Sequence, residues 1–368
     1  MYKLALGVFV SLMVAITPAT AARTDGNVKV SKTKKAAVAK KTRFKRRDVA
    51  ARASSPPRAN VIRRTIVVNG KRKTVYQRVM LARAPVAAPR PSFGDRAGLN
   101  LTRDPLDLAS SVALVLDQNS AEVLFEKNSK IALPIASITK LMTGLVVVEA
   151  NQDMNEILTV TEDDVDHEKW TSSRLRVGSQ LSRASLLHIA LMSSENRAAA
   201  ALGRNYPGGV AGFVEAMNAK ARALGMYDTR FVDSSGLSSK NISSAHDLAK
   251  LAAFAYHQPL LRQFSTDPKS VVAASGRTLN YHNTNYLVAS PDWDIGLQKT
   301  GFINEAGRCL VMQAMISGRA VIMVFLDSKG KQSRTADAGR VKRWLEALRP
   351  APLGTPPVLE TPGITQGG

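Results

Sequence analysis

Two strand-like runs open the body of this chain and three close it, with helical spacing between. Val112-Ala113-Leu114-Val115-Leu116 and Glu122-Val123-Leu124-Phe125 flank a turn from Asp117 to Ser120, the pattern of a hairpin. Strand patterns return at Asp294 to Thr300, Arg308 to Ile316 and Ala320 to Leu326, the last two joined by Ser317-Gly318-Arg319. Between these blocks, Thr139 to Ala150, Ser185 to Met192, Arg197 to Leu202, Val210 to Leu224 and Ala245 to Tyr256 place apolar residues at helical intervals. A final helix is expected from about Thr335 to Leu348, ended by Pro350. An α/β fold follows: strands from both ends of the domain share one sheet, helices pack on it, and a helical insertion lies over it.

The chain of 368 residues carries 51 Lys+Arg against 29 Asp+Glu, a formal charge of +22, and that charge is concentrated. Between Arg23 and Gly94 stand 21 Lys/Arg and two acids, which leaves residues 95–368 nearly neutral. Residues 23–60 hold almost no large apolar side chains, so burial cannot offset the entropy of ordering them, and disorder is expected. Thr65-Ile66-Val67-Val68 and Thr74-Val75-Tyr76 flank Asn69-Gly70, which suits a small hairpin within residues 62–81. Pro85, Pro89 and Pro91 then make a linker. The expected organisation is a basic arm over 23–94, one domain over 95–349 and a Pro/Gly-rich tail over 350–368.

Ahead of the arm, Lys3, the apolar run Leu4 to Ile16 and the small residues Ala19 and Ala21 read as an export signal over residues 1–22, cleaved after Ala21 or Ala22. An uncleaved anchor is the other reading, although the run is short for a membrane span. A basic arm usually suggests nucleic acid, but export argues against it, and between Arg23 and Ala84 the aromatics offered for base stacking are Phe44 and Tyr76. Anionic envelope polymers or lipid headgroups fit an exported arm, as does a solvated tether with no partner.

One cysteine excludes an intramolecular disulfide or a multi-cysteine zinc site, and the five histidines are too dispersed for an H-E-x-x-H pair. No metal or cofactor is called for, so chemistry is sought in hydroxyls and amines. Ser137-Ile138-Thr139-Lys140 opens a helical run, and its spacing puts hydroxyl and amine on one face, one turn apart. A lysine takes a serine proton only if its pKa falls well below about 10.4, through burial or a nearby cation. The same spacing occurs at Ser31 to Lys34 in the arm, so context decides: only Ser137 stands between a strand pair and an apolar helix. Ser194-Glu195-Asn196 lies at a junction between two helical runs, where a turn offers a hydroxyl for proton relay and an amide for holding substrate. Ser239-Lys240-Asn241 is a rival without that setting. Lys299-Thr300-Gly301 ends a strand-like run and supplies a cation, a hydroxyl for a carboxylate, and a residue small enough for close backbone approach.

S-x-x-K, S-x-N and K-T-G in this order resemble the set found in penicillin-binding proteins and class A β-lactamases. Pro134 to Thr143, Ser173 to Gly178, Leu191 to Ala199 and Phe231 to Leu237 are also similar to the low-molecular-mass D-alanyl-D-alanine peptidases of S11 type, a resemblance that covers residues 108–348. It implies a β-lactamase/transpeptidase-like fold and a serine D,D-peptidase acting on peptidoglycan stem peptides and cross-links, with β-lactams as covalent inhibitors and the periplasm as its place. It implies Ser137 as nucleophile, Lys140 as general base, Ser194 as proton relay and Asn196 as holder of the acyl donor's amide. Lys299 and Thr300, with Gly301, would bind the carboxylate beside the scissile bond, and the backbone N–H groups of Ser137 and Phe302 would form the oxyanion hole. Lys299 close to Lys140 would favour the neutral amine.

A β-lactamase of class A clears its acyl-enzyme with a Glu, and no Glu-x-x-x-Asn stands between Lys140 and Lys299, so slow turnover of penicillins is expected. Endopeptidase and carboxypeptidase share the chemistry. The short sequence after Leu348 resembles the endopeptidase group rather than the carboxypeptidases that carry a further β-rich domain and an amphipathic helix. A non-catalytic wall-binding protein is the remote alternative. Cys309 is expected to be a buried strand thiol, His246 beside Asp247 to pin a helix, and Trp170, Trp293 and Trp344 to be core or cleft wall.

Overall fold

The structure, a computed structural model, describes residues 60–79 and 90–348. The expected signal, the arm up to residue 59, the Ser31 to Lys34 match, most of the proline linker and the tail lie outside the described residues. Within them the chain divides into two units, the hairpin of the arm and the body.

The hairpin pairs Asn60–Val68 with Lys71–Val79, Val68 lying opposite Lys71. Asn69 and Gly70 form the two-residue turn with φ of 53° and 72°, the pair of left-handed residues that a type I′ turn requires. Ile66, Val67, Val68, Val75 and Tyr76 are all exposed, so the ribbon has no core of its own.

In the body, strands Ser110–Asp117 and Val123–Lys127 join Arg319–Ser328, Gly307–Ile316 and Asp294–Ile303 in one antiparallel sheet. Asp294–Ile303 is one edge, Val123–Lys127 the other, and the first strand of the body pairs with the last. The continuous apolar runs of the central strands follow from burial on both faces. Val112 and Leu114 join one core with Val311, Ile322 and Val324, while Ala113 and Val115 join the other with Met312, Met323 and Phe325. Helix Ser333–Ala347 closes the second face through Ala338, Val341 and Leu345. The helical segment Thr139 to Thr266 covers the first. Each buried Leu, Val or Phe contributes about 1.5–3 kcal/mol, and this apolar frame offsets the cost of the buried amines described below.

Helices at Thr139–Glu149, Arg183–Met192, Asn196–Arg204, Gly209–Ala223, Ala245–Tyr256 and Ser333–Ala347 follow the periodicity closely. Further elements lie outside it. Pro259–Thr266 is a short helix with Pro at its first position, and Lys269–Ala274 pairs with Arg277–His282 in a separate hairpin. The body also begins earlier than its expected start at residue 95. Ser92 caps the turn Phe93–Arg96, is itself buried, and donates from Oγ to Asp327 Oδ2 at 2.9 Å. Among the described residues, no helix is long and apolar enough to cross a membrane.

Candidate active site

Pro134 ends a short strand, a 3-10 turn follows at Ala136–Ile138, and helix Thr139–Glu149 begins at once. Ala136 sits in the left-handed region with φ of 50°, which costs energy for a residue with a side chain. Two glycines hold the turn. A Cβ on Gly236, whose φ is +81°, would lie 2.0 Å from the carbonyl oxygen of Ala136, and one on Gly301 would lie 3.0 Å from the backbone nitrogen of Ser137. Gly301 is thus required first by the protein's own turn at Ser137, ahead of any approach by substrate backbone.

Ser137 is half-buried, and Lys140 is wholly buried one turn along. The Lys140 amine is 2.9 Å from Ser137 Oγ, 2.7 Å from Asn196 Oδ1 and 2.6 Å from the carbonyl oxygen of Ser235. Two of these partners can only accept. A neutral amine has two N–H donors and one lone pair, so once Asn196 and Ser235 take the donors, the lone pair is left for the Ser137 O–H. Burial pulls the Lys140 pKa down to about 7, against the opposing charges of Asp233 and Glu195.

From the sheet edge, Lys299 reaches across to Ser194. Its amine donates to Ser194 Oγ at 2.9 Å and to the carbonyl oxygen of Thr300 at 2.8 Å. Lys299 is also fully buried, and its pKa lies well below the usual lysine range because of burial, then the neighbouring cations Lys140 and Arg334. Of the two causes expected for a depressed Lys140, burial is the one at work, whereas Lys299 is not among the causes, and Lys140 in turn helps to lower Lys299. Ser194 has a φ of 61°, a strained setting at the helix junction, and Thr300 Oγ1 lies 2.5 Å from Thr284 Oγ1.

Ser137, Lys140 and Asn196 therefore meet at the Lys140 amine, Gly301 lies against the Ser137 turn, and Lys299 and Thr300 of the same strand end bring in Ser194, while Phe302, next along that strand, is exposed. Asn196 is more committed than expected, because its Oδ1 accepts from Lys140 and its Nδ2 donates to Thr171 Oγ1 at 3.0 Å. The rival Asn241 is a structural pin. It is wholly buried, and its side chain accepts from Val232 N at 2.6 Å and donates to Asp233 Oδ2 at 3.0 Å. Cys309 is a buried thiol pushed up to about 12 by burial, and His246 meets Glu126 at 3.3 Å. Trp170 departs from the expected core or cleft wall: it is 77% exposed.

Residues 100–330 match the profile of the peptidase S11 family, described as D-alanyl-D-alanine carboxypeptidase. The chain belongs to this family. A D-alanyl-D-alanine endopeptidase of Pseudomonas aeruginosa is 48% identical over 275 residues, 74% of this chain and 86% of that protein. One of Escherichia coli with the same name is 44% identical over 249 residues, 67% of this chain and 80% of that protein. Among solved structures, the Streptomyces K15 DD-transpeptidase is similar with a TM-score of 0.62 and 27% identity, covering 67% of this chain and 100% of that one. The body accordingly has the DD-transpeptidase type of fold, mixed α/β around an antiparallel sheet.

Several parts of this S11 site escaped the sequence reading. Asp233 accepts from Ser235 N at 2.6 Å and Gly236 N at 2.5 Å, and so shapes the loop whose carbonyl meets Lys140. Arg334, in the first turn of the last helix, donates to the carbonyl oxygen of Gly301 at 2.7 Å and to that of Cys309 at 3.3 Å. Burial brings Arg334 down to about 10. Asp233 lay inside a quoted segment, Phe231 to Leu237. Arg334 left no local signal, since it acts on backbone carbonyls distant in sequence.

Proposed function

We propose that the chain is a peptidoglycan D,D-peptidase working through a serine acyl-enzyme, and that it is an endopeptidase cutting D-alanyl-meso-diaminopimelate cross-links. The observation that carries this reading is the set of partners around Lys140, which leaves a lone pair for Ser137 on an amine brought to about 7 by burial. Lys140 takes the Ser137 proton as Oγ attacks the D-alanyl carbonyl, and the N–H groups of Ser137 and Phe302 receive the oxyanion. Ser194 accepts from Lys299, and its O–H donates to the leaving amine as it takes up the proton that Lys140 drew from Ser137, so Lys140 is neutral again for the attack of water. Lys299 and Thr300 bind the carboxylate beside that amine, Asn196 orients Lys140 and the acyl donor's amide, and water then releases the acyl group.

Relatives that are 40–48% identical carry the endopeptidase name, whereas those with the carboxypeptidase name are 27–29% identical, which favours cross-links as substrate. Such a substrate places the protein in the periplasm, and the basic arm fits contact with anionic envelope polymers or lipids. Digestion of purified muropeptides tests the reading: loss of dimers is expected, and loss of only terminal D-alanine from pentapeptides would replace it with a carboxypeptidase. Ser137→Ala is expected to abolish covalent labelling by a fluorescent penicillin, while nitrocefin is turned over slowly by the wild type. Persistent labelling of the variant would remove Ser137 as nucleophile.

A further inference from the structure

A cavity of about 280 Å³ lies between the segment Arg174 to Ser179 and the hairpin Lys269–Ala274/Arg277–His282. Arg174, Arg176 and Arg277 line it together with Ser179 and Ser275, and no acidic residue does. Among the described residues, the arginines paired with carboxylates are Arg183, Arg204, Arg319 and Arg340, so the three at the cavity form no ion pair with a described carboxylate. Arg174 is held in place: its guanidinium lies over the Tyr281 ring at 5.1 Å and donates to the carbonyl oxygen of Asn280. Glu195, the partner of the neighbouring Ser173, is buried and committed to its Oγ at 2.7 Å. Three guanidinium groups gathered at one mouth repel one another unless an anion joins them, and their planar donor forks suit a carboxylate or a phosphate.

The two segments that wall the cavity also run into the active site. Thr171, three residues before Arg174, contacts Asn196, and Thr284, two residues past His282, contacts Thr300. An extended chain spans at most about 3.3–3.6 Å per residue, so Arg174 lies within ~10 Å of Thr171, and Arg176 and Arg277, further along from Thr171 and Thr284, lie within ~18 and ~25 Å of those contacts, a distance that a cross-linked stem peptide can span. Cross-linked stem peptides carry free carboxylates beyond the one next to the scissile amine. We propose that this cavity is a second anion subsite, which takes such a carboxylate of the bound stem peptide and favours cross-linked substrate. The inference rests on the peptidase reading above.

Arg176→Gln combined with Arg277→Gln tests it, with Arg174 left in its contacts with Tyr281 and Asn280. Two dimeric muropeptides are compared: one with every carboxyl free, and one amidated at all carboxyls except that beside the scissile amine. The double variant is expected to lose about tenfold in kcat/KM on the free-acid dimer through KM, the scale of a lost charge-assisted contact. Its cleavage of the amidated dimer and its rate of acylation by penicillin should match the wild type. Equal losses on both dimers, or no loss on either, would overturn the subsite. So would inhibition of the wild type but not the variant by a polyphosphate, with the two dimers handled alike, since the cavity would then serve a phosphate. A wild type that is acylated by penicillin but cleaves neither dimer defeats the endopeptidase reading itself, and the subsite with it.

Discussion

Lys140 and Lys299 are both wholly buried lysines in one site, yet their surroundings differ in kind. Lys140 has its three amine positions filled by the protein: two obligate acceptors and the nucleophile. The charges acting on it are negative, from Asp233 and Glu195. Lys299 has two partners, Ser194 Oγ and the Thr300 carbonyl, which leaves a third N–H direction for a ligand, and the charges acting on it are positive. Burial alone therefore fixes neither role. One amine is arranged to receive a proton, and the other lacks only the counter-charge that a substrate carboxylate would bring.

Removing each amine should separate these roles most strongly. Lys140→Met is expected to slow penicillin acylation by about 10³-fold or more, since a serine without its base is nearly inert. Lys299→Met should cost about 10²-fold, the scale of one lost electrostatic contact to the reacting substrate. Stopped-flow acylation with a fluorescent penicillin measures both. Equal and small losses would mean that the two amines are interchangeable structural groups.

The pH dependence sharpens the same contrast. Below about 7 the Lys140 amine holds a proton and has no lone pair, so the acylation rate should rise about tenfold per pH unit up to that point and level off above it. A bound carboxylate should raise the pKa of Lys299, and the ammonium so stabilised should lower that of Lys140. The rising limb for a peptide substrate with a free terminal carboxylate should therefore lie at lower pH than the limb for its methyl ester. Coincident limbs would break the proposed link between the two amines.

What the sequence made legible follows the same division. Ser137, Lys140, Ser194, Asn196 and Lys299 act through side chains at short fixed spacings, and each spacing left a readable pattern. Asp233 and Arg334 work by positioning backbone carbonyls, a task that many residue types could fill, so their identities carried little signal. The five strands of the sheet were legible because burial on both faces, or on one, imposes apolar runs. Strand Lys269–Ala274 was not, because Lys269, Val271 and Ala273 are exposed and the apolar pattern is correspondingly thin. The sequence leaves burial and a nearby cation both open as causes of a depressed Lys140, and the choice of burial depends on the packing of residues far apart in the chain.

The two S-x-N matches provide the smallest and most discriminating test, because asparagines 196 and 241 differ in what their amides hold. Asn241 is wholly buried and satisfies Val232 N, and Asn241→Ala would strand buried donors at a cost of about 1–3 kcal/mol. In a domain of this size that corresponds to a fall in Tm of roughly 2–12 °C. Asn196 is half-buried and gives the Lys140 amine one of its two acceptors, so Asn196→Ala should lower Tm less than Asn241→Ala does while slowing acylation roughly tenfold. Thermal melting and acylation rates on the same two proteins read both effects. If Asn241→Ala slowed acylation with an unchanged Tm, the rival match would have to be taken into the catalytic group, and the assignment of the amide beside Lys140 would lose its basis.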